Sequence, residues 1–180
     1  NGLMENTMIV YTSDHGELLG KFGMWWKCSL IEDAIRIPCI ATGPHFKKKS
    51  VIKTPVDLHD LQAFLFDSYE IDKKINMLGF PLNKINNNDQ DRKIFSEYHG
   101  HGAPGSSFMI RKGKWKYIYY FDAPNQLFDL DTDPNELTNL IEQDFKITEE
   151  LYKELQEICN PSKEHYIAEK FIESQLVNCF

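Results

Sequence analysis

Asn6 to Thr12 reads NTMIVYT and runs directly into Ser13-Asp14-His15-Gly16. The first run is apolar and rich in β-formers, which predicts a buried strand. The second run breaks it and delivers polar side chains into a loop. In open α/β sheets ligands bind at the carboxyl ends of strands, so Asp14 and His15 stand where chemistry is to be sought. A carboxylate beside an imidazole can hold a divalent cation. The pair also suits a plain turn, with Asp14 capping backbone amides.

Working outward, Glu17 to Lys27 mixes glycine with aromatics and reads as a loop. Ser29 with Glu32 three residues later predicts a capping box and a short helix to about Ile35. Pro38 to Thr42 is a second strand, closed by Gly43-Pro44, and Lys47 to Lys49 is a solvated turn. From Asp57 to Tyr69, Leu58, Leu61, Phe64 and Leu65 recur at helical spacing on one side. Asp72 to Asp91 is rich in Asn, Lys and Asp and predicts a long surface loop or a boundary.

The remainder has a different texture. Lys93 to Tyr98 is a strand, and Ser107 to Arg111 and Trp115 to Tyr120 flank Lys112-Gly113-Lys114 as a hairpin. Gln126 to Leu130 is a fourth short strand. Leu140 to Ile158 and Ser162 to Val177 are terminal helices parted by Asn160-Pro161. The order β-loop-α-β-α over the first part predicts a piece of a parallel sheet with uncovered edges. Such edges favour self-association and fit a chain taken from a longer protein. The expected division is 1–75, a linker over 76–92, and a small α+β unit over 93–180.

The 180 residues are 42% hydrophobic and 26% charged, which is globular composition and excludes a collagen-like or rod-like chain. With 20 basic and 27 acidic residues the formal charge is −7, which disfavours nucleic acid as a partner. No apolar run reaches the roughly 18 residues of a membrane span. The chain begins at Asn1 without Met, so secreted, periplasmic and cytoplasmic locations all stay open. Cys28, Cys39, Cys159 and Cys179 fit no metal knuckle and predict free, mostly buried thiols.

The ordered strings Thr12-Ser13-Asp14-His15-Gly16, Lys27, Glu32 and Arg36-Ile37-Pro38 resemble the type I sulfatases of the alkaline-phosphatase superfamily. In that family T-S-D-H-G or T-S-D-N-G is followed by K-x-x-x-[YF]-E and R-[VI]-P. Ile31 departs from the usual aromatic. Thr54 to Leu61 resembles the family's V-s-l-v-D-l-x-P-T helix start, with Gln62-Ala63 in place of Pro-Thr. Met109 to Ile118 resembles its R-x-G-x-x-K-Y-I hairpin, and Gln126 to Leu140 its L-Y-D-L-x-x-D-P-x-E-x-x-N-L segment. The likeness covers roughly residues 6 to 140.

The resemblance implies an α/β fold: the C-terminal portion of an alkaline-phosphatase-like α/β/α sandwich, followed by a small antiparallel sheet with helices. It implies that Asp14 and His15 ligate a divalent cation, calcium by the family's habit and manganese as an alternative, since imidazole is the softer ligand. Lys27 would bind a sulfate oxygen and neutralise charge as the ester breaks. His99 and His101, in Glu97-Tyr98-His99-Gly100-His101-Gly102, would sit near the pocket mouth and bond the organic part of a substrate. Trp25 and Trp26 could line that pocket or simply pack. The family's nucleophile is a formylglycine made from the Cys of C-x-[PA]-S-R, with paired Asp ligands upstream; both are expected outside this chain. Cys159-Asn160-Pro161-Ser162-Lys163 is a poor substitute, because Lys lacks the bidentate fork of Arg.

The expected function is therefore the C-terminal part of a sulfuric ester hydrolase acting on a sulfated small molecule or glycan, with this chain inactive alone. The alternatives are a phosphonate or phosphodiester hydrolase of the same superfamily, or a non-catalytic remnant that serves as a binding module.

Overall fold

The computed structural model describes residues 2–47, 49–71 and 78–177. Cys179 and the part of the expected loop at 72–77 lie outside the described residues.

Strand β1 (Ile9–Thr12) follows a 3-10 turn over Leu3–Asn6, so the expected strand loses its first residues to that turn. It pairs with β2 (Cys39–Thr42) in antiparallel register, Ile9 opposite Thr42 and Thr12 opposite Cys39. The expected parallel arrangement is thus replaced here by a nested hairpin. Its backbone continues inward: Gly16 donates to Ala34 O at 2.7 Å, Glu17 to Asp33 O at 2.9 Å, and Leu18 to Trp26 O at 2.8 Å. The chain doubles back on itself from the strand end onward, which turns β2 against β1. The strand is also not buried: Ile9, Tyr11 and Ile40 are exposed, because no layer of the described residues covers this two-stranded ribbon.

Helix α1 (Glu32–Ile35) is capped by Ile31 without a side-chain bond. The expected Ser29–Glu32 capping box does not form. Ser29 Oγ accepts from Ile31 N at 3.2 Å, and the Glu32 carboxylate is drawn instead to a buried ammonium. Helix α2 (Leu58–Ser68) has a true capping box, Asp57 with Asp60. Asp60 is fully buried, and its Oδ1 also accepts from Phe80 N at 2.9 Å and from Arg92 at 2.5 Å. Thr54 Oγ1 donates to Asn86 O and accepts from Asp89 N. The described part of the Asn-rich stretch is therefore pinned to the start of α2 rather than left free, since turn residues here supply the donors and acceptors that close it.

Strands β3 (Lys93–Tyr98), β4 (Ser107–Lys112), β5 (Trp115–Tyr120) and β6 (Gln126–Asp129) form one antiparallel sheet in sequence order. Alternation divides its side chains. Phe108, Ile110, Tyr117 and Leu127 face Leu151 and Leu155 of α3 (Phe145–Ile158). Met109, Ile118 and Phe128 face Leu18, Leu30, Ile31 and Ala34. So the sheet is buried on both faces, and its second face is the bed on which the Lys27 to Ile35 segment lies. Lys112 reaches Glu150 at 2.9 Å and Glu154 at 2.8 Å on α3, and these carboxylates hold its ammonium pKa above the ordinary lysine range.

Helix α3 begins at Phe145 rather than at Leu140, because Asp144 caps it by accepting from Ile147 N. Asn139 ties the preceding turn to β6 by accepting from Leu127 N at 2.9 Å. Helix α4 (Pro161–Val177) starts behind Asn160, whose Oδ1 accepts from Lys163 N at 3.1 Å. The Cys159 to Lys163 string is thus a helix junction. Burial pushes the Cys159 thiol up to about 11, with Glu97 and Glu164 adding to it, which is the reverse of an activated nucleophile. Cys28, Cys39 and Cys159 are free as expected, but Cys39 is exposed and the other two are only half-buried.

Candidate functional site

The end of β1 delivers Asp14 and His15 to a turn that α1 locks in place. A Cβ on Gly16 would lie 2.0 Å from Asp33 O, so the backbone approach there requires glycine. Gly16→Ala is expected to destabilise the fold by about 1–3 kcal/mol, read as a drop in the thermal midpoint. A midpoint within a degree of the wild type would show that the turn can relax away.

Asp14 Oδ1 accepts from His15 N at 2.9 Å, which is the main cause holding its carboxyl below the usual carboxylate range. His15 Nδ1 lies 2.8 Å from Gly16 O. A carbonyl can only accept, so Nδ1 carries the proton and Nε2 keeps its lone pair when the ring is neutral. That Nε2 lies 3.4 Å from Asp14 Oδ2. Two oriented donor atoms at that separation suit one shared cation, and the bond from Nδ1 to a carbonyl is the orientation metal-bound imidazoles use. Among the described residues no group of three or more His, Cys, Asp or Glu converges on one point. Among the described residues, Asp14 and His15 thus offer two of the donors that a cation site needs.

Lys27 is exposed, and among the described residues no hydrogen bond or ion pair engages its ammonium. It sits just beyond the Leu18–Trp26 backbone bond, on a hydrogen-bonded strap of residues 14–35 that also carries Asp14 and His15. Trp25 and Trp26 are 65% and 64% exposed, so they do not pack into the core. Trp26 holds φ at +76°, an uncommon conformation for a bulky residue and one that accompanies functional turns.

Cys28 brings in the second sheet. Its Sγ lies 3.9 Å from His101 Nε2, and a Cβ on Gly102 would touch its Cβ and Sγ at 3.4 and 3.5 Å. Tyr98 donates to His101 O at 2.8 Å. Burial, then the Cys28 thiol, push the Tyr98 hydroxyl up to about 12. Beside this contact is a cleft of about 280 Å³, lined among others by Phe22, Met24, Cys28, Gly102, Tyr120 and Phe121. His101 thus joins the Lys27 strap. His99 turns elsewhere: its Nδ1 meets Ser106 Oγ at 2.7 Å, and its Nε2 faces Glu97 at 3.4 Å.

A buried charge cluster fixes the strap from below. The fully buried Lys116 Nζ lies 3.0 Å from Glu32 Oε1 and 2.7 Å from Glu136 Oε1. Glu136 Oε2 accepts from Glu32 N at 2.6 Å, and Arg111 stands 3.7 Å from Glu32. Reading the sequence placed Glu32 and Glu136 in separate strings and gave no sign that Lys116 joins them. Nor did it signal Cys28, Ser106 or His165, whose partners are distant in the chain.

Residues 20–161 match the C-terminal domain of the N-sulphoglucosamine sulphohydrolase family. The chain is 35% identical to mouse (Mus musculus) arylsulfatase K over 94% of its own length and 34% of that protein. It is 32% identical to the choline-sulfatase of Rhizobium meliloti, covering 78% of this chain and 28% of that protein. A solved 2-O GAG sulfatase superposes with a TM-score of 0.74 at 26% identity, over 93% of this chain and 39% of that one. The chain spans about a third of the length of the curated relatives it matches. This chain therefore belongs to the sulfatase family, with the α/β fold of the C-terminal part of an alkaline-phosphatase-like sulfatase.

Proposed function

We propose that this chain supplies one side of the active site of a sulfate ester hydrolase, whose nucleophile lies outside these 180 residues. The observation that carries the reading is the strap itself: Asp14, His15 and Lys27 stand on backbone segments that hydrogen-bond to one another. Asp14 and His15 would hold a divalent cation, calcium or alternatively manganese, and the bound ion would supply positive charge to the sulfate oxygens. Lys27, unengaged and exposed, binds a sulfate oxygen and offsets the charge that develops as the ester breaks. The mostly apolar cleft next to Cys28 takes the organic part of the substrate, with His101 at its lip. A sulfated glycan is the substrate class favoured here, because a 2-O GAG sulfatase shares the fold at 26% identity over 93% of this chain. His99 contributes through the turn it anchors rather than by touching substrate.

The experiment is hydrolysis of an aryl sulfate and of a sulfated glycosaminoglycan fragment. It compares the 180-residue chain with the longer protein encoded in the same reading frame. The longer protein is expected to turn over, to lose activity on chelation, and to lose it in Asp14→Ala; the chain alone is expected to be silent. Turnover by the chain alone that Asp14→Ala abolishes would overturn the division of the site. A longer protein that cleaves phosphonate esters and spares sulfates would overturn the substrate reading.

A further inference from the structure

Ser106 is buried and has an imidazole on either side of its hydroxyl. His99 Nδ1 lies 2.7 Å from Oγ, and His165 Nδ1 lies 2.9 Å from the same atom. Ser106 N also points at His165 Nδ1, at 3.5 Å. A backbone N–H can only donate, so His165 Nδ1 must be an acceptor and carries no proton. The Ser106 hydroxyl then donates to His165 as well, which leaves its lone pairs to accept from His99 Nδ1–H. The direction of the chain of bonds is thereby fixed: His99 to Ser106 to His165. Glu97 lies behind the first ring at 3.4 Å, and Glu169 behind the last at 3.8 Å.

The three residues come from three places. His99 follows β3, Ser106 precedes β4, and His165 is on α4. Between His99 and Ser106 runs the turn that presses Gly102 and His101 onto Cys28. The His165 ring also stacks on Phe121 at a centroid distance of 3.7 Å. Phe121 in turn lines the cleft beside Cys28. One route from α4 therefore ends at the turn that closes over the residue after Lys27, and the other at the cleft beside it.

We infer that His165 is a positioning residue. Through its unprotonated Nδ1, the C-terminal helix holds the 99–106 turn closed over Cys28, and so sets the lip of the proposed substrate cleft. Only the consequence for substrate rests on the sulfate-ester reading. The positioning itself is testable without turnover, so the failure of one leaves the other standing.

The test is peptide-resolved alkylation of the protein by N-ethylmaleimide, with the exposed Cys39 as internal reference. His165→Ala is expected to raise the labelling of Cys28 relative to Cys39 by about tenfold, the scale of losing the pair of Ser106–His165 hydrogen bonds, one of them long. Ser106→Ala is expected to do the same. His165→Asn is expected to restore protection, because an Asn Oδ1 occupies the place of Nδ1 and accepts the same two bonds. A merely structural loss of ring packing would not be rescued by Asn. Equal labelling in wild type and His165→Ala, with α4 helicity retained, would overturn the inference. So would a His165→Asn variant as reactive as His165→Ala. Should His165→Ala fail to fold, Ser106→Ala and His165→Asn decide between the same two outcomes.

Discussion

Lys116→Met is expected to destabilise the chain by about 3–5 kcal/mol, the cost of removing one partner from a buried ion pair. The side chain has no exposure to solvent, and its ammonium lies between Glu32 and Glu136. Without it, two carboxylates face each other away from water, with Arg111 at 3.7 Å from Glu32 as a nearby offset. Glu136 also holds the first amide of α1, so the loss propagates to the strap that carries Lys27. Urea denaturation of the variant measures the effect. The triple change Lys116→Met, Glu32→Gln, Glu136→Gln is expected to recover much of it, because no buried carboxylate is then left unpaired and the partly exposed Arg111 stays hydrated. A cost for Lys116→Met within about 1 kcal/mol, the range of solvated pairs, would show that water reaches the cluster.

Lys27→Ala in the longer protein is expected to lower kcat/KM for a sulfate ester by about 10²–10³, the scale seen when one preorganised donor to developing charge is removed. The thermal midpoint is expected to stay unchanged, since the side chain is exposed and, among the described residues, carries no bond to the fold. That pairing of a large catalytic loss with no loss of stability separates Lys27 from Lys116. Lys27→Arg retains charge with a different geometry and is expected to fall between the two. Activity of Lys27→Ala within a few-fold of wild type would remove Lys27 from the site.

The elements with local causes were legible in the chain. β5 runs from Trp115 to Tyr120 as read, because alternation and the Lys112-Gly113-Lys114 turn specify it without outside help. α2 is likewise close to its expected bounds, fixed by a periodic face and an Asp cap. Asp14, His15 and Lys27 were legible as motifs, because their spacing is short. What misled was context. NTMIVYT looks like a buried strand, yet burial is a property of what packs on it. The Ser29–Glu32 spacing looks like a capping box, but an unpaired buried ammonium is far more costly than an empty cap, and Glu32 goes to Lys116.

Most strands and helices and the family likeness could be read from the chain, because periodicity, turn chemistry and short motifs are written in neighbouring positions. Only the closed fold brings β2 antiparallel to β1, Lys116 between Glu32 and Glu136, and His165 to Ser106 across 59 residues. These pairings depend on which buried polar groups find one another once the chain has closed. No local pattern encodes that choice, since the energy that makes it is the cost of leaving a buried donor or charge without a partner.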